Sequence, residues 1–541
     1  MLTGAAALIA APALVGVGAK VGAHPGGGAV RFFRNWDEAR RRADEGGRFI
    51  LPTEGGGAAL YENAGGKMRL LVDLSLAADR QGEAPAVADG YLEQFGGAAP
   101  AGEAGHDIDN PSGAVIVGQR IWNRAKPGIS YGKNEHLPSR SWPPIRAIGN
   151  DIRNIGGPGA IGSKYGIISY APHSIICANF VSNGRNANRP GDDVDGIYVK
   201  SEGAIVSDNV VVDFCQTEGA FNIKGSKRSD RAAPIGSEVN LSNNLAVFTD
   251  RYNREVLAAG GNTHGIKYAN DGIRSQGFTC INASGNSVHT LGNVLADLQL
   301  TEHYSYNAGR NAFGLYASGS GLVVRNSFAR DTADSYFYIG GQTEAADYLL
   351  DGGRCENAAR GFVVRPSLSN AISLRIRNHH LQGVAGEILL VEGGGCRRLD
   401  IENVTADHGQ REFIRVNAPV GEIRWIDSGP SDFQTSSDAP VSFLRLPLPA
   451  GRVAHLRCSF LGDDGTDHFA REFTAVLSGR GVDATDGTSQ ELSRSATPGA
   501  SKWDASLSID TRHRTAIILL RGGTAARPVR WACLEIRYQS V

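Results

Sequence analysis

The sequence predicts an all-β protein built around a right-handed, single-stranded parallel β-helix. Three observations predict it: a high glycine content, a loose repeat of 23 to 25 residues, and alternation of apolar and polar residues within the repeat. The 541 residues include 70 Gly and only 2 Met, a composition typical of many short strands joined by tight turns. The length predicts more than one module.

Residues 1–30 are predicted to form an apolar anchor or a signal-like segment. The stretch MLTGAAALIAAPALVGVGAK resembles the apolar core of twin-arginine export signals, although no arginine pair precedes it. Its Gly, Ala and Pro content is too high for a transmembrane helix, so we expect no stable membrane insertion.

Residues 31–110 are predicted to hold a capping helix and the first coils. The stretch FRNWDEARRRADEGGRFILP predicts a short helix that ends at a Gly-Gly pair and is followed by a strand. A helix over the open first coil would protect unpaired backbone groups.

Residues 111–445 are predicted to be the β-helix itself. Stretches such as GIYVKSEGAIVSDNVVV, GIKYANDGIRSQGFTCIN and FGLYASGSGLVVRNSF each contain a strand, a turn and a second strand. One such coil cannot bury its apolar face alone, so neighbouring coils must stack. Asn residues recur near strand ends, where they can adopt left-handed geometry or ladder their amides between coils: Asn179, Asn209, Asn244, Asn326, Asn378 and Asn403.

Residues 446–541 change character and predict a separate antiparallel β-sandwich. The stretches KWDASLSID, TAIILLRGG and VRWACLEIRY alternate apolar and polar residues but lack the glycine-opened coil unit.

The coils resemble the parallel β-helix of pectate-lyase-type enzymes and viral tailspikes over roughly residues 110–445. The C-terminal strands resemble domains of phage fibre and tail proteins. These resemblances imply a virion spike or fibre that binds cell-surface polysaccharide, assembles as a homotrimer and contacts other virion proteins.

Charge and cysteine content exclude several classes of function. The formal net charge of −1 gives no basic field for nucleic acid. The seven cysteines are an odd number without CxxC spacing, which argues against a disulfide framework or a zinc site and favours buried thiols.

The acidic stretch around residues 192–195 is the first candidate site. If coils align on their opening residue, Asp195, Glu218 and His264 form a column; if Gly196 aligns with Ala220, Glu218 leaves that column. Glycoside hydrolysis needs a protonated and an ionised carboxyl close together, so the candidates for catalysis are Asp192, Asp193, Asp195, Glu218 and Asp271. The alternative is a solvated turn, because Asp and Gly favour turns on conformational grounds.

A polysaccharide lyase would instead need a cationic or tyrosine base. The candidates are Lys200, Lys224, Lys267, Tyr198 and Tyr268, which lie on the same strands. All of them except Tyr268 are also predicted to bind the substrate. We expect no cofactor and no metal, although the loop GDDVDG could offer oxygen ligands to Ca²⁺.

Tyrosines of the middle coils point to a carbohydrate surface. In SYFYIGG, strict alternation places Tyr336 and Tyr338 on one face and Phe337 and Ile339 on the other. Because Phe and Ile favour the interior, both tyrosines are predicted to be exposed and to contact sugar, together with His264.

The predicted function is therefore a virion or extracellular spike that binds, and could depolymerise, bacterial polysaccharide. One alternative is an exported periplasmic or secreted lyase or hydrolase of the pectate-lyase type. The other is a structural spike without a sugar site.

Overall fold

The computed structural model describes most of the chain beyond residue 143 and shorter parts before it. The described residues are 31–32, 48–52, 58–64, 67–73, 106–108, 114–124, 127–131, 144–157, 160–186, 192–224, 238–269, 271–291, 294–342, 344–369, 371–407, 414–430, 434–435, 437–447, 453–478, 488–510, 515–524 and 527–540. The apolar segment 1–30 and the predicted capping helix lie outside them.

The first four strands form a small sheet in sequence order. They are β1 (Arg31–Phe32), β2 (Arg48–Pro52), β3 (Ala58–Ala64) and β4 (Lys67–Asp73). Strands β1 and β2 are parallel, while β3 pairs antiparallel with both β2 and β4. The strand predicted after the Gly-Gly pair is confirmed as β2.

The central part of the chain is a solenoid of short strands. Its strands are β5 (His106–Ile108), β6 (Ala114–Val117), β7 (Arg120–Arg124), β8 (Ile129–Tyr131), β9 (Ile145–Ile148), β10 (Asp151–Gly156), β11 (Lys164–Ser169), β12 (Ile175–Cys177), β13 (Phe180–Arg185), β14 (Val194–Val199), β15 (Ile205–Ser207), β16 (Val210–Val212), β17 (Cys215–Gln216), β18 (Phe221–Ile223), β19 (Asn240–Ser242), β20 (Leu245–Val247), β21 (Ile266–Tyr268), β22 (Arg274–Gln276), β23 (Thr279–Ile281), β24 (Val288–Thr290), β25 (Val294–Thr301), β26 (Tyr304–Tyr306), β27 (Phe313–Leu315), β28 (Ser318–Gly340), β29 (Ala346–Arg365), β30 (Ile372–Gln382), β31 (Leu389–Val391), β32 (Cys396–Ala406), β33 (Ile414–Val416), β34 (Val420–Ile426) and β35 (Gly429–Pro430). Helix α1 (Asp250–Ala258) lies between β20 and β21.

Each turn of the solenoid contributes to three parallel sheets. Sheet A contains β5, β8, β11, β14, β18, β21, β24 and β27; sheet B contains β6, β9, β12, β15, β19, β22 and β25; sheet C contains β7, β10, β13, β16, β20, β23 and β26. The long strands β28 and β29 stay paired around the corners and pass through all three sheets. The predicted parallel solenoid is thus confirmed, with about ten turns, while its handedness stays a prediction.

The core is made by stacking like positions of successive coils. On sheet A, Ile167 pairs with Ile197, Ile197 with Phe221 and Phe221 with Ile266, and all four side chains are buried. Equivalent atoms on neighbouring strands are about 4.8 Å apart, so each apolar side chain rests on the next.

At the corner where the chain enters sheet A, within strands such as β11 and β14, the alternation of inward and outward residues is broken. A Cβ on Gly166 would lie 2.2 Å from Val181, and one on Gly196 would lie 2.4 Å from Val211. The corner residue therefore points inward, as does the residue that follows it.

Tyr336 occupies this corner position, and its predicted exposure is wrong. Its ring is fully buried against Phe313 and Phe362, and its hydroxyl contacts Ser327 Oγ at 2.7 Å. Strict alternation failed because both the corner residue and Phe337 face inward.

Asparagine side chains form hydrogen bonds at the turn between sheets B and C. Asn150, Asn179, Asn209 and Asn244 form a buried ladder in which each side-chain amide donates to the next Oδ1 at 2.8 to 3.0 Å. Three others, Asn326, Asn378 and Asn403, adopt left-handed backbone geometry, and the Asn403 side-chain amide also donates to Asn378 Oδ1 on the preceding coil at 2.9 Å. Both predicted structural roles of the recurring asparagines are confirmed.

The remaining strands pair antiparallel with one another and continue two of the solenoid sheets, where β43 is antiparallel to β34 but β37 is parallel to β33. They are β36 (Gln434–Thr435), β37 (Ser437–Pro447), β38 (Val453–Asp463), β39 (His468–Ser478), β40 (Thr488–Ala496), β41 (Asp504–Asp510), β42 (Thr515–Thr524) and β43 (Arg527–Ser540), with a 3-10 turn at Pro498–Ala500. Strand β43 pairs with β34, and β37 pairs with β33, so these strands cover the open end of the last coil.

The cysteines match their predicted role. All seven are free, and all but the half-buried Cys177 are buried. Within the described ranges, no helix has the length and apolar character needed to span a bilayer.

Replacing Asn209 with Ala should destabilise the solenoid. The change leaves the buried Asn179 amide, the Ile176 carbonyl and the Asn244 Oδ1 short of a partner, so we expect a loss of roughly 3 kcal/mol in the free energy of unfolding. Urea denaturation measures it. The exposed Asn240→Ala is the control and should change stability by less than about 0.5 kcal/mol; equal losses would disprove the ladder's importance.

Candidate functional site

The candidate residues meet on the outer face of sheet A. We call the partly exposed side chains on this face the sheet A stripe: Tyr165, Asp193, Lys200, Glu218, Lys224, His264, His289, Tyr316 and Tyr338, with the more deeply buried Lys267 among them. They come from seven successive coils, because β11, β14, β18, β21, β24, β27 and the end of β28 lie side by side.

The coil register is the second of the two alignments considered. Ile197 pairs with Phe221, and Ile197 N donates to Ala220 O, so Gly196 lies beside Ala220. Asp195, Gly219 and His264 therefore form the column, and Glu218 stands one residue outside it. The two carboxyl groups are nevertheless linked through one amide, because Asn222 Nδ2 contacts Asp195 Oδ1 at 3.3 Å and Glu218 Oε2 at 3.2 Å.

Asp195 lies beneath the stripe rather than on it. Its side chain is fully buried, and Oδ1 accepts from Gly219 N at 3.1 Å. Among the described residues, no partner contacts Oδ2. Burial, together with the charges of Asp193 and Glu218, raises the pKa of Asp195 well above its ordinary value, which favours the neutral carboxyl.

Glu218 has the opposite environment. The ammonium groups of Lys267 and Lys224 both bind its Oε2, the latter at 3.3 Å. Burial alone would raise the pKa of Glu218, but the two lysines outweigh it and lower that pKa. The stripe thus contains an ionised carboxylate that is 16% exposed.

Two further aspartates precede β14. Asp193 is half-buried, and its pKa is raised by burial and by Glu218, against the effect of Lys224 and Lys267. Asp192 Oδ2 accepts from Gly162 N at 2.8 Å and so holds the preceding loop. Asp193 therefore combines partial exposure to solvent with a pKa above the ordinary value of an aspartate.

Two histidines of the stripe share one asparagine. Asn286 N donates to His264 Nδ1 at 3.0 Å, and Asn286 Nδ2 contacts His289 Nδ1 at 2.9 Å. Burial and Lys267 lower the pKa of His264 to about 4, while burial and His264 lower that of His289 to about 3. Both imidazoles are neutral at neutral pH.

Aromatic rings extend the stripe in both directions. The His289 ring lies 4.8 Å from Tyr316, whose ring lies 5.5 Å from Tyr338. At the other end, Tyr165 stacks on Tyr198 at 5.3 Å. The partly exposed position of Tyr338 agrees with its predicted exposure.

The remaining candidates lie elsewhere or lack access. Tyr268 is inside the core, bonded to Ser275 and His303, and is excluded as a base. Tyr198 is only 5% exposed. Asp271 is in the turn after β21 and accepts from Ala296 N, while the Lys200 ammonium lies 5.8 Å from the Tyr170 ring.

Several residues of the site escaped the sequence analysis. Asn222, Asn286 and His289 carry its hydrogen bonds. The signal for two of them was their register, because Asn222 and His289 occupy one outward row of sheet A together with Tyr198 and Lys267. Asn286 lies outside that row, beside His264. Over the described part of the chain, no group of three metal-ligating side chains is present.

Sheet B carries a separate surface cavity of about 460 Å³. Its Arg397 guanidinium already binds Asp347 and Ser373, at 3.0 and 2.7 Å. Because these polar groups are satisfied within the chain, we do not assign the cavity a ligand.

Comparisons with known proteins found similar solved structures but no sequence match. No protein-family model and no curated protein sequence matches the chain. Among solved structures, it resembles the tailspike protein of E. coli bacteriophage HK620 in complex with a pentasaccharide (8% identity, 79% of this chain and 81% of that chain, TM-score 0.34) and the Dettilon tailspike protein (11%, 79% and 86%, 0.34).

A third similar structure is the catalytic domain of a GH87 alpha-1,3-glucanase in complex with nigerose (11% identity, 57% of this chain, TM-score 0.31). The present chain spans 61% of that domain. At these identities the likeness concerns the β-solenoid fold alone.

Replacing Asp195 with Asn should change how stability depends on pH. Because the folded-state pKa is raised above the ordinary 3.8, the contribution of Asp195 is complete below that value and is lost as pH rises through the folded pKa. Thermal unfolding across pH should show this loss in the wild type but not in Asp195→Asn. The partly exposed Asp271→Asn should follow the wild type; parallel curves for all three proteins would contradict the burial argument.

Proposed function

We propose that the protein is a spike- or fibre-like protein that binds bacterial cell-surface polysaccharide along the sheet A stripe. The observation that carries this proposal is the unbroken run of half-exposed tyrosine, histidine, lysine and glutamate side chains across successive coils. Ligands of this chemistry offer many hydroxyl groups and flat ring faces, which hydrogen-bonding and aromatic side chains bind together.

The geometry favours a polymer over a small ligand. Equivalent side chains recur about every 4.8 Å along the solenoid, so an extended chain lying parallel to the axis meets a new side chain at each coil. The partly exposed rings at one end, Tyr316 and Tyr338, and the polar groups around Glu218 would then bind successive units of the same chain.

Removing the aromatic end should weaken binding to polysaccharide. We expect Tyr316→Ala and Tyr338→Ala each to reduce affinity roughly tenfold, the loss of about 1.4 kcal/mol of ring contact. The measurement is retention on a panel of purified bacterial capsule and O-antigen polysaccharides, followed by titration with the polymer that is retained.

The control is Tyr304→Ala. Tyr304 is also half-buried on an outer face, but it lies on β26 of sheet C. Its replacement should leave affinity unchanged. If the wild type retains no polymer of the panel, a structural spike without a sugar site becomes the better description.

A second function, cleavage of the bound polymer, is favoured by the opposite pKa shifts of two accessible carboxyls. Burial and Glu218 raise the pKa of Asp193, whereas Lys267 and Lys224 lower that of Glu218. In hydrolysis, Asp193 would donate its proton to the glycosidic oxygen as the bond to the anomeric carbon breaks. Glu218 would take a proton from the water that forms the new bond to that carbon.

The lyase alternative has less support. Tyr268 is enclosed in the core, Tyr198 is almost fully buried, and Lys224 and Lys267 already bind Glu218. None of these four groups is placed as an available base.

Cleavage should depend on Glu218 and not on Asp195. We expect Glu218→Gln and Asp193→Asn to lower the release of reducing ends at least about 100-fold, because each removes one acid–base group. Asp195→Asn, the matched buried control, should retain cleavage. Equal losses in Asp195→Asn and Glu218→Gln would contradict this assignment, and a wild type that binds without releasing ends would be an adhesin.

The proposed assembly is a homotrimer in the virion or at the cell exterior. Exposed apolar side chains on the outer face of sheet B support self-association: Val115 on β6 is 69% exposed and Ile205 on β15 is 45% exposed. Contact with other virion proteins and the alternative of an exported enzyme both stay proposals.

A further inference from the structure

Asn286 controls which nitrogen of His264 and of His289 carries the proton. Its backbone N–H can only donate, so His264 Nδ1 must be the acceptor. The side-chain amide has its own fixed direction, because Asn311 N donates to Asn286 Oδ1 at 3.2 Å. Asn286 Nδ2 is therefore the donor to His289 Nδ1.

Both imidazoles consequently carry their proton on Nε2. A neutral imidazole has one donor and one acceptor nitrogen, and Nδ1 is the acceptor in each ring. Within the described residues, no protein acceptor binds either Nε2. The ring centroids are 5.1 Å apart, so the two N–H donors belong to neighbouring coils.

Two glycines make room for this arrangement. A Cβ on Gly285 would lie 2.5 Å from the His264 ring, and a Cβ on Gly314 would lie 2.5 Å from Asn286 Nδ2. Neither glycine has a positive φ, so their backbone does not require glycine. Because each glycine lacks a side chain, the His264 ring and the Asn286 amide have the space that they occupy. This is a second observation, independent of the hydrogen bonds.

We infer that Asn286 is a positioning residue that fixes His264 and His289 as a pair of uncharged Nε2–H donors for two acceptor oxygens of the bound polymer. This inference rests on the proposed function, since the polymer lies along the same stripe. It adds a specificity: the polymer must present hydroxyl or carboxylate oxygens to both donors, one coil apart.

The surroundings keep the donors uncharged. Lys267 and Arg310 face the His264 ring and oppose its protonation, while Glu218 favours it; His289 faces His264 and Lys267. A polymer that offers only donor or cationic groups at these positions would leave two buried N–H groups without acceptors, which costs affinity.

The test combines the tautomer of each histidine with affinity. In the full chain labelled with ¹⁵N-histidine, we expect the Nε2–H pattern for His264 and His289 at pH 7, assigned with His264→Gln and His289→Gln. Asn286→Asp replaces the donating amide with an acceptor, so His289 should become protonated on Nδ1. Its affinity for the polysaccharide retained by the wild type should fall roughly tenfold.

Controls separate positioning from folding. Asn240→Asp makes the same replacement at an exposed position and should change neither the histidine signals nor the affinity. Gly314→Ala should displace the Asn286 amide and alter the His289 signal, and hence affinity, in a folded protein.

The outcomes distinguish this inference from the proposed function. Nδ1–H signals for the two histidines in the wild type would overturn the inference whatever the protein binds. The expected signals together with no retained polysaccharide would refute the proposed function, and with it the ligand. If the affinity of Asn286→Asp is unchanged although the tautomer of His289 has changed, the requirement for acceptor oxygens opposite the two Nε2–H donors would be refuted.

Discussion

The structure depends on the in-register stacking of apolar side chains along the inside of sheet A. A single coil leaves its apolar face uncovered, and only the next coil, about 4.8 Å away, covers it. Ile197, Phe221 and Ile266 show the consequence, since each is buried on its neighbours. The same register fixes the outside of the sheet, so the order of outward residues in the stripe is a by-product of core packing.

The sequence predicted the solenoid but not the environment of its site residues. A repeat with period-two strands is sufficient for the fold, because the apolar positions must stack whatever the turns contain. The relative register of Asp195 and Glu218 was open, since a shift of one residue changes the column without changing the pattern. The structure decides the register, because it pairs Ile197 with Phe221.

The burial of corner residues could not be predicted from the sequence, for a different reason. Alternation assigns each residue to one of two faces, but at a corner two successive residues face inward, as Tyr336 and Phe337 do. The space available there depends on the opposite residues of other coils, such as Gly353, whose missing side chain leaves room for the Tyr336 hydroxyl. No local pattern in SYFYIGG contains that information.

The two carboxyls joined by Asn222 show how one fold can give like groups different roles. Asp195 is enclosed and, among the residues that the structure describes, contacts no cation, so a charge there would be poorly solvated and the neutral form is favoured. Glu218 binds two ammonium groups at the edge of solvent, so its charge is stabilised. A neutral Asp195 beneath it avoids the repulsion that two adjacent carboxylates would suffer. The buried carboxyl therefore supports the site by its neutrality, and the exposed one provides the charge that a ligand or a water molecule would meet.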